Sequence, residues 1–169
     1  MTQHRFIAKD SDGLSRLFAD WMTDYITEVL ARQDRFTIAL SGGSTPKKLF
    51  ALLAGNEYRD KIDWQRMHFF WGDERFVPFT DDRNNARMTF EELMSKVPVV
   101  REQIHIMPTH LPQDEAVEEY DEILHRYFGE GGRSFDLVML GLGDNSHTLS
   151  LFPGYDIVHE HKKWVDAFF

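Results

Sequence analysis

The stretch FTIALSGGSTPKKLF, residues 36–50, decides the fold. Its first part, FTIAL (36–40), is short and apolar throughout, which is typical of a strand buried on both faces. The last part has helical spacing, and Pro46 suits the first turn of a helix. The loop SGGSTP (41–46) therefore lies where a buried strand passes into a helix. Such a loop is either a plain turn with a hydroxyl cap or a seat for an anion.

The same order of strand, loop and helix recurs along the chain. Apolar runs predict further strands at 5–8, 67–72, 103–108 and 135–143, and GEGG (129–132) predicts a turn. Apolar spacing predicts helices over 14–30, near 46–54, around 88–97 and from Asp114 to Phe128. Because the strands are apolar throughout, the pattern indicates an α/β fold with a mostly parallel sheet covered by helices on both faces.

Length and composition favour one globular domain over residues 1–169. No apolar run is long enough for a membrane span, and the polar start of the chain resembles neither a secretory signal nor a transit peptide. The absence of cysteine favours a reducing, cytoplasmic interior. A net charge of −9 argues against nucleic acid as a partner. His159 and His161 have no third ligand nearby, so we expect no metal and no cofactor; nothing predicts an oligomeric state.

Three loops follow predicted strands, at 41–46, 72–85 and 141–154, and all three carry chemically useful side chains. In parallel sheets, ligands bind at the carboxyl ends of the strands, so we expect these loops to share one edge. The first loop offers freed backbone N–H groups, three hydroxyls and a helix dipole to an anion. Its candidate anion-binding residues are Ser41, Gly42, Gly43, Ser44 and Thr45.

The other two loops offer groups for acid–base chemistry. Arg75 can grip a phosphate or carboxylate with its guanidinium fork, and Asp73 can orient a hydroxyl or a histidine. The alternative is a solvated, salt-bridged turn. His147 follows a glycine-rich strand end and is a candidate general base near neutral pH, the alternative being a structural histidine.

Taken together, the three loops resemble the motifs of the 6-phosphogluconolactonases, in order and in approximate separation. The matching segments are SGGSTP (41–46), FFWGDERFVP (69–78) and GLGDNSHTLSLFPG (141–154). Asn85 also resembles the asparagine of the Ser-Asn pair that follows the family's second motif. The family belongs to a wider group with the glucosamine-6-phosphate deaminases and isomerases.

This resemblance implies a three-layer, Rossmann-like core and hydrolysis of 6-phospho-D-glucono-1,5-lactone in the pentose phosphate pathway, without a metal. It implies that His147 is a general base and that Asp73 and Arg75 line the pocket. The residues expected to bind substrate or its phosphate are Ser41, Gly42, Gly43, Ser44, Thr45, Asn85 and Asn145. It also implies a C-terminal segment beyond residue 154 that the domain is expected to lack.

The chain departs from the family in the third motif and at its apolar end, and two other functions stay open. Where the family usually has Asp-Gly-His, this chain has Asn145, Ser146 and His147; an asparagine can only hydrogen-bond, and a serine fits only with negative φ or tolerated strain. An amino-sugar-6-phosphate deaminase is the second hypothesis, although its Asp-Glu-Tyr and Phe-Asn-Glu patterns are absent. A non-catalytic sugar-phosphate-binding module is the third, since the apolar end WVDAFF (164–169) resembles an interrupted domain.

Overall fold

Residues 36–40 form a buried strand, as the sequence predicts, and it is the central strand of the sheet. The computed structural model describes residues 3–129 and 134–168. Short 3₁₀ turns occupy several of the connections. The helices and strands follow in the order α1 (Ser11–Leu30), β1 (Phe36–Leu40), α2 (Ser44–Leu53), β2 (Met67–Trp71), α3 (Asn85–Glu92), α4 (Gln113–Phe128) and β3 (Leu137–Val138).

The three strands form one parallel sheet in the order β2-β1-β3. Leu40 pairs with Trp71, so β1 and β2 end at the same level. The ladder continues one step further, because the backbone N–H of Gly72 donates to the carbonyl of Leu40 at 2.9 Å. The loops that follow these two strands therefore leave the same edge of the sheet side by side.

Helices cover the sheet on both faces, as predicted. Helix α1 begins where Asp10 caps it, with the carboxylate accepting from the N–H of Gly13 at 2.8 Å. The larger core lies on the α1, α2 and α3 side and includes Ile38 and Trp71. On the opposite face Phe70 packs against α4 in a smaller cluster with Tyr120, Leu124 and Phe128. Within the described residues, no helix is long and apolar enough to cross a membrane.

Three predicted strands are wrong or too long. Residues 5–8 are not a strand, and residues 103–108 make only a single bridge, between Phe69 and Ile104. The strand predicted over 135–143 is limited to Leu137–Val138, and Leu140 and Leu142 are 64% and 83% exposed. The physical reason is pairing: β3 is an edge strand with β1 as its neighbour, and no other described strand hydrogen-bonds to it.

The aromatic end of the chain is folded back onto the domain. Trp164 stacks on His125 of α4 with ring centroids 4.0 Å apart, and Val165 packs against the smaller core cluster. Phe168 lies against Tyr155, at a centroid distance of 5.0 Å. A groove, the α4 groove, lies between α4 and residues 162–166. Phe169 and the turn predicted at 129–132, apart from Gly129, lie outside the described residues.

Two histidines pack together on the α4 side of β2, near its amino end. The rings of His68 and His105 stack with centroids 6.0 Å apart, and His68 Nδ1 is 3.0 Å from the hydroxyl of Tyr127. Burial, followed by the charges of nearby His68 and three arginines, lowers the pKa of His105 from 6.5 to about 4. Burial and the charge of Arg35 also lower the pKa of His68. The arginines acting on His105 are Arg101, Arg126 and Arg35.

We predict that this pair makes the fold sensitive to acid. Because the folded-state pKa of His105 lies below its unfolded value, its contribution to stability is complete above about pH 6.5 and is lost as pH falls toward about 4. Urea unfolding at about pH 7 and about pH 4.5 measures the loss. His105→Gln should reduce the loss, whereas His110→Gln, at an exposed position, should not; equal losses in the two variants would contradict the prediction.

Candidate functional site

The glycine loop ends β1 and begins α2. Gly43 has φ 106°, a left-handed value that a residue with a side chain rarely adopts, and its carbonyl accepts from the N–H of Lys47 at 3.1 Å. No side chain caps the helix, and Ser44 and Thr45 at its start are exposed. Ser41, by contrast, is buried at the strand end. The first N–H groups of α2 therefore point toward solvent, as an anion seat requires.

Asn85 joins the first loop to the second. Its side chain is buried against Gly42 so closely that a Cβ on Gly42 would lie 1.8 Å from Asn85 Oδ1. The amide nitrogen of the same side chain donates to the carbonyl of Asp73 at 3.1 Å. A single asparagine thus spans from the anion seat to the residue that follows β2.

Asp73 joins the second loop to the third. Its carboxylate accepts a hydrogen bond from the hydroxyl of Ser150 at 2.7 Å. Beside it, Leu149 packs on Gly72, where a Cβ would lie 3.0 Å from a Leu149 methyl carbon. These two contacts bring the loop that carries His147 against the end of β2. All three predicted loops therefore meet at one edge of the sheet.

Asn145 orients the imidazole of His147. Asn145 Oδ1 lies 2.5 Å from His147 Nδ1, and because an amide oxygen only accepts, Nδ1 is the donor. In the neutral ring, the lone pair that can take a proton is then on Nε2. The imidazole ring also rests on Gly143, where a Cβ would lie 2.0 Å from the ring. The centroids of the His147 and Phe152 rings are 4.5 Å apart. The asparagine at this position thus selects the tautomer that a general base needs.

The third loop stores backbone strain. Ser146 has φ 67° and Leu149 has φ 52°, both in the left-handed region that favours glycine. Of the two possibilities that the sequence left open for Ser146, the structure has the strained one. Strain of this kind persists where surrounding contacts enforce it, and here the contacts are those of His147 with Asn145 and of Leu149 with Gly72.

Arg75 presents an unpaired cation next to the loops. Its side chain is exposed, and Nη1 makes one long contact, 3.4 Å to the carbonyl of Arg83. Arg83 is itself paired with Asp81 at 2.7 Å, and no salt bridge among the described residues includes Arg75. The guanidinium of Arg75 is therefore available to an anionic ligand. In the described ranges, no cluster of three or more metal-ligating side chains can hold an ion.

Sequence reasoning missed two residues of this site. Ser150 holds the carboxylate of Asp73, and Glu74 accepts backbone N–H groups at the start of α3. Ser150 was within the quoted third motif, but a serine has no pattern that predicts which carboxylate it meets. The sequence assigns Glu74 no role of its own beside Asp73 and Arg75, whereas the structure half-buries its carboxylate.

The site and fold define a class: a three-layer α/β protein whose candidate ligand-binding loops follow parallel strands. Residues 9–169 match the family described as glucosamine-6-phosphate isomerases/6-phosphogluconolactonase. The chain belongs to that family.

Individual relatives agree with this assignment. The chain is 35% identical over 156 residues to the protein of Arabidopsis thaliana named 6-phosphogluconolactonase 3, chloroplastic, covering 87% of this chain and 48% of the relative. It is 40% identical over 136 residues to the 6-phosphogluconolactonase of Synechocystis sp., covering 78% and 55%. The crystal structure of 6-phosphogluconolactonase from Thermotoga maritima superposes with a TM-score of 0.76 at 28% identity, covering 87% and 63%. The chain thus spans about half the length of these curated relatives.

We predict that the close contact of Gly42 with Asn85 makes any side chain at position 42 destabilising. Gly42→Ala places a methyl group 1.8 Å from Asn85 Oδ1, so the asparagine must move, and overpacking of this kind costs about 1–3 kcal/mol. Urea unfolding measures the loss. Gly141→Ala is the matched control, because a Cβ there meets nothing within 4 Å, and it should change stability by less than about 0.5 kcal/mol. Equal effects of the two substitutions would refute the steric argument.

Proposed function

We propose that this chain carries the lactone-hydrolysing site of a 6-phosphogluconolactonase, which converts 6-phospho-D-glucono-1,5-lactone to 6-phosphogluconate in the pentose phosphate pathway. The observation that carries the proposal is the meeting of the three loops through Asn85 and Asp73. That meeting brings the anion seat, a free arginine and an oriented histidine to one edge of the sheet. The names of the relatives at 35% and 40% identity support it.

His147 is the proposed general base. With Nδ1–H donated to Asn145, Nε2 takes a proton from a water molecule as the water attacks the lactone carbonyl. A δ-lactone is an activated ester, so a positioned water and a base are sufficient, and no covalent nucleophile, metal or cofactor is required. Ring opening then releases an alkoxide oxygen, which recovers the proton from the imidazolium.

The phosphate and the developing charge are assigned to separate groups. The phosphate is proposed to bind the N–H groups of Gly42–Thr45, in the loop that begins at the buried Ser41. Arg75 is proposed to stabilise negative charge on the carbonyl oxygen or on the phosphate. Because the phosphate is remote from the reacting carbon, its binding energy serves to hold the carbonyl near His147. Asp73, held by Ser150, and Asn85 are proposed to fix the loops.

Two alternatives are less well supported. The segment DERF (73–76) and the sequence TLSLFPG (148–154) differ from the deaminase patterns, which disfavours amino-sugar-6-phosphate deamination. A module that only binds sugar phosphates would use the same anion seat without needing an oriented histidine. The hydrogen bond between His147 and Asn145 favours the enzyme.

We also propose a compartment and a partner for this chain. The lack of cysteine supports a cytoplasmic location, although the Arabidopsis thaliana relative is named chloroplastic. The partner is a phosphorylated sugar lactone, and the net charge of −9 argues against nucleic acid. We propose that the chain forms a single α/β domain.

We predict that His147→Ala lowers kcat about 10²–10⁴-fold, because a general base typically contributes that much. A coupled assay with 6-phosphogluconate dehydrogenase measures the rate. His161→Ala is the control, since His161 is an exposed histidine that the proposal gives no role, and its rate should equal that of the unmodified chain. A loss well below 10-fold in His147→Ala would remove the general-base role. Absence of turnover in the unmodified chain, with retained binding of 6-phosphogluconate, would favour the binding module.

A further inference from the structure

The carboxylate of Glu74 folds back onto the backbone at the start of α3. One oxygen, Oε1, accepts from the N–H of Asn85 at 2.7 Å and from the N–H of Arg75 at 2.8 Å. The other, Oε2, accepts from the N–H of Ala86 at 2.9 Å. A side chain that sits between two candidate site residues in the sequence thus binds the backbone of a third, 11 residues further on.

Within residues 3–129 and 134–168, no salt bridge compensates the charge of Glu74. Burial raises the pKa of its carboxyl, an effect that the backbone hydrogen bonds from Asn85, Ala86 and Arg75 oppose. The neighbouring charge of Asp73 raises it further. Burying a carboxylate without a counter-charge is costly unless its hydrogen bonds are satisfied. Two of the bonds that satisfy this carboxylate, from the N–H groups of Asn85 and Ala86, fix the backbone at the start of α3.

The backbone of Asn85 determines where its side chain lies. That side chain fills the space above Gly42, and its amide donates to Asp73. The cap of helix α3 is a different residue, Asn84, whose side chain accepts from the N–H of Arg87 at 2.8 Å. The helix start is therefore held by two side chains, Asn84 and Glu74, and Glu74 is the one that binds the N–H of Asn85.

We propose that Glu74 is a positioning residue for substrate binding, which holds Asn85 so that its side chain keeps the anion seat at Gly42 in register with Asp73. The inference rests on the proposed function for its kinetic readout. It assigns to Glu74 no contact with substrate. Its effect reaches the substrate through Asn85, on the glycine loop that is proposed to hold the phosphate.

The geometry distinguishes the two conservative replacements. Glu74→Gln keeps the length of the side chain but replaces one oxygen with an NH₂ group, which then faces a backbone N–H donor. Glu74→Asp keeps both oxygens on a shorter side chain and regains part of the contact. The expected order of function is therefore the unmodified chain, then Glu74→Asp, then Glu74→Gln.

The test compares Glu74→Gln and Glu74→Asp with Asn84→Ala, which removes the helix cap and leaves the bonds of Glu74 in place. For Glu74→Gln we expect KM for the lactone to rise about tenfold with kcat within about threefold, since a misplacement of about 1 Å can cost about 10²-fold and a smaller displacement is expected here. Asn84→Ala should lower the urea midpoint by about as much as Glu74→Gln does, but it should leave KM unchanged. Without substrate, the ¹⁵N–¹H shifts of Gly42 and Asp73 should move in Glu74→Gln and not in Asn84→Ala.

The outcomes separate the two claims. Equal KM values and equal Gly42 shifts in Glu74→Gln and Asn84→Ala would overturn the positioning role. No turnover in the unmodified chain would contradict the proposed function, and the substrate-free shifts would then decide the role of Glu74. If Glu74→Gln does not fold, the unmodified chain is titrated by NMR. The Gly42 amide should then follow the midpoint of the Glu74 carboxyl carbon rather than that of Asp73, and the reverse would overturn the inference.

Discussion

The parallel pairing of β1 with β2 is the constraint on which the rest of the structure depends. Because Leu40 and Trp71 are partners and Gly72 extends the ladder, the two strands end at one level. The loops that follow them must then leave the sheet side by side. A shift of one residue in register would turn the side chains of β2 to the opposite face and separate Gly42 from Asp73. The position of the site therefore depends first on strand register and then on side-chain contacts.

Within that frame, close contacts fix the loops to one another. The space that a side chain at Gly42 would need is filled by Asn85, and the space at Gly72 is filled by Leu149. Asp73 is bound from both sides, at its carbonyl by Asn85 and at its carboxylate by Ser150. These contacts hold the backbone of the loop that begins α2 and of the segment that precedes Arg75. An anion can therefore meet groups that are already positioned, which limits the entropic cost of binding.

The sequence predicted the layers and the buried strand at 36–40, because apolar runs and helical spacing are local signals. It predicted the meeting of the loops because ligands bind at the carboxyl ends of parallel strands. It overestimated β3, since the apolar run at 135–143 shows no sign of where pairing stops, and hydrogen bonding to β1 ends at the N–H of Met139. It also missed Glu74 and Ser150, whose partners are 11 and 77 residues away. Hydrogen bonds between distant residues leave no periodic trace, so only the folded chain reveals them.

Titration of the ¹⁵N-labelled chain with 6-phosphogluconate, followed by amide shifts, tests the central claim that the three loops form one site. We expect the amides of Gly42–Thr45, Asp73 and the segment 147–150 to shift together with a single apparent Kd. Shifts confined to one loop, or centred on the α4 groove instead, would contradict it.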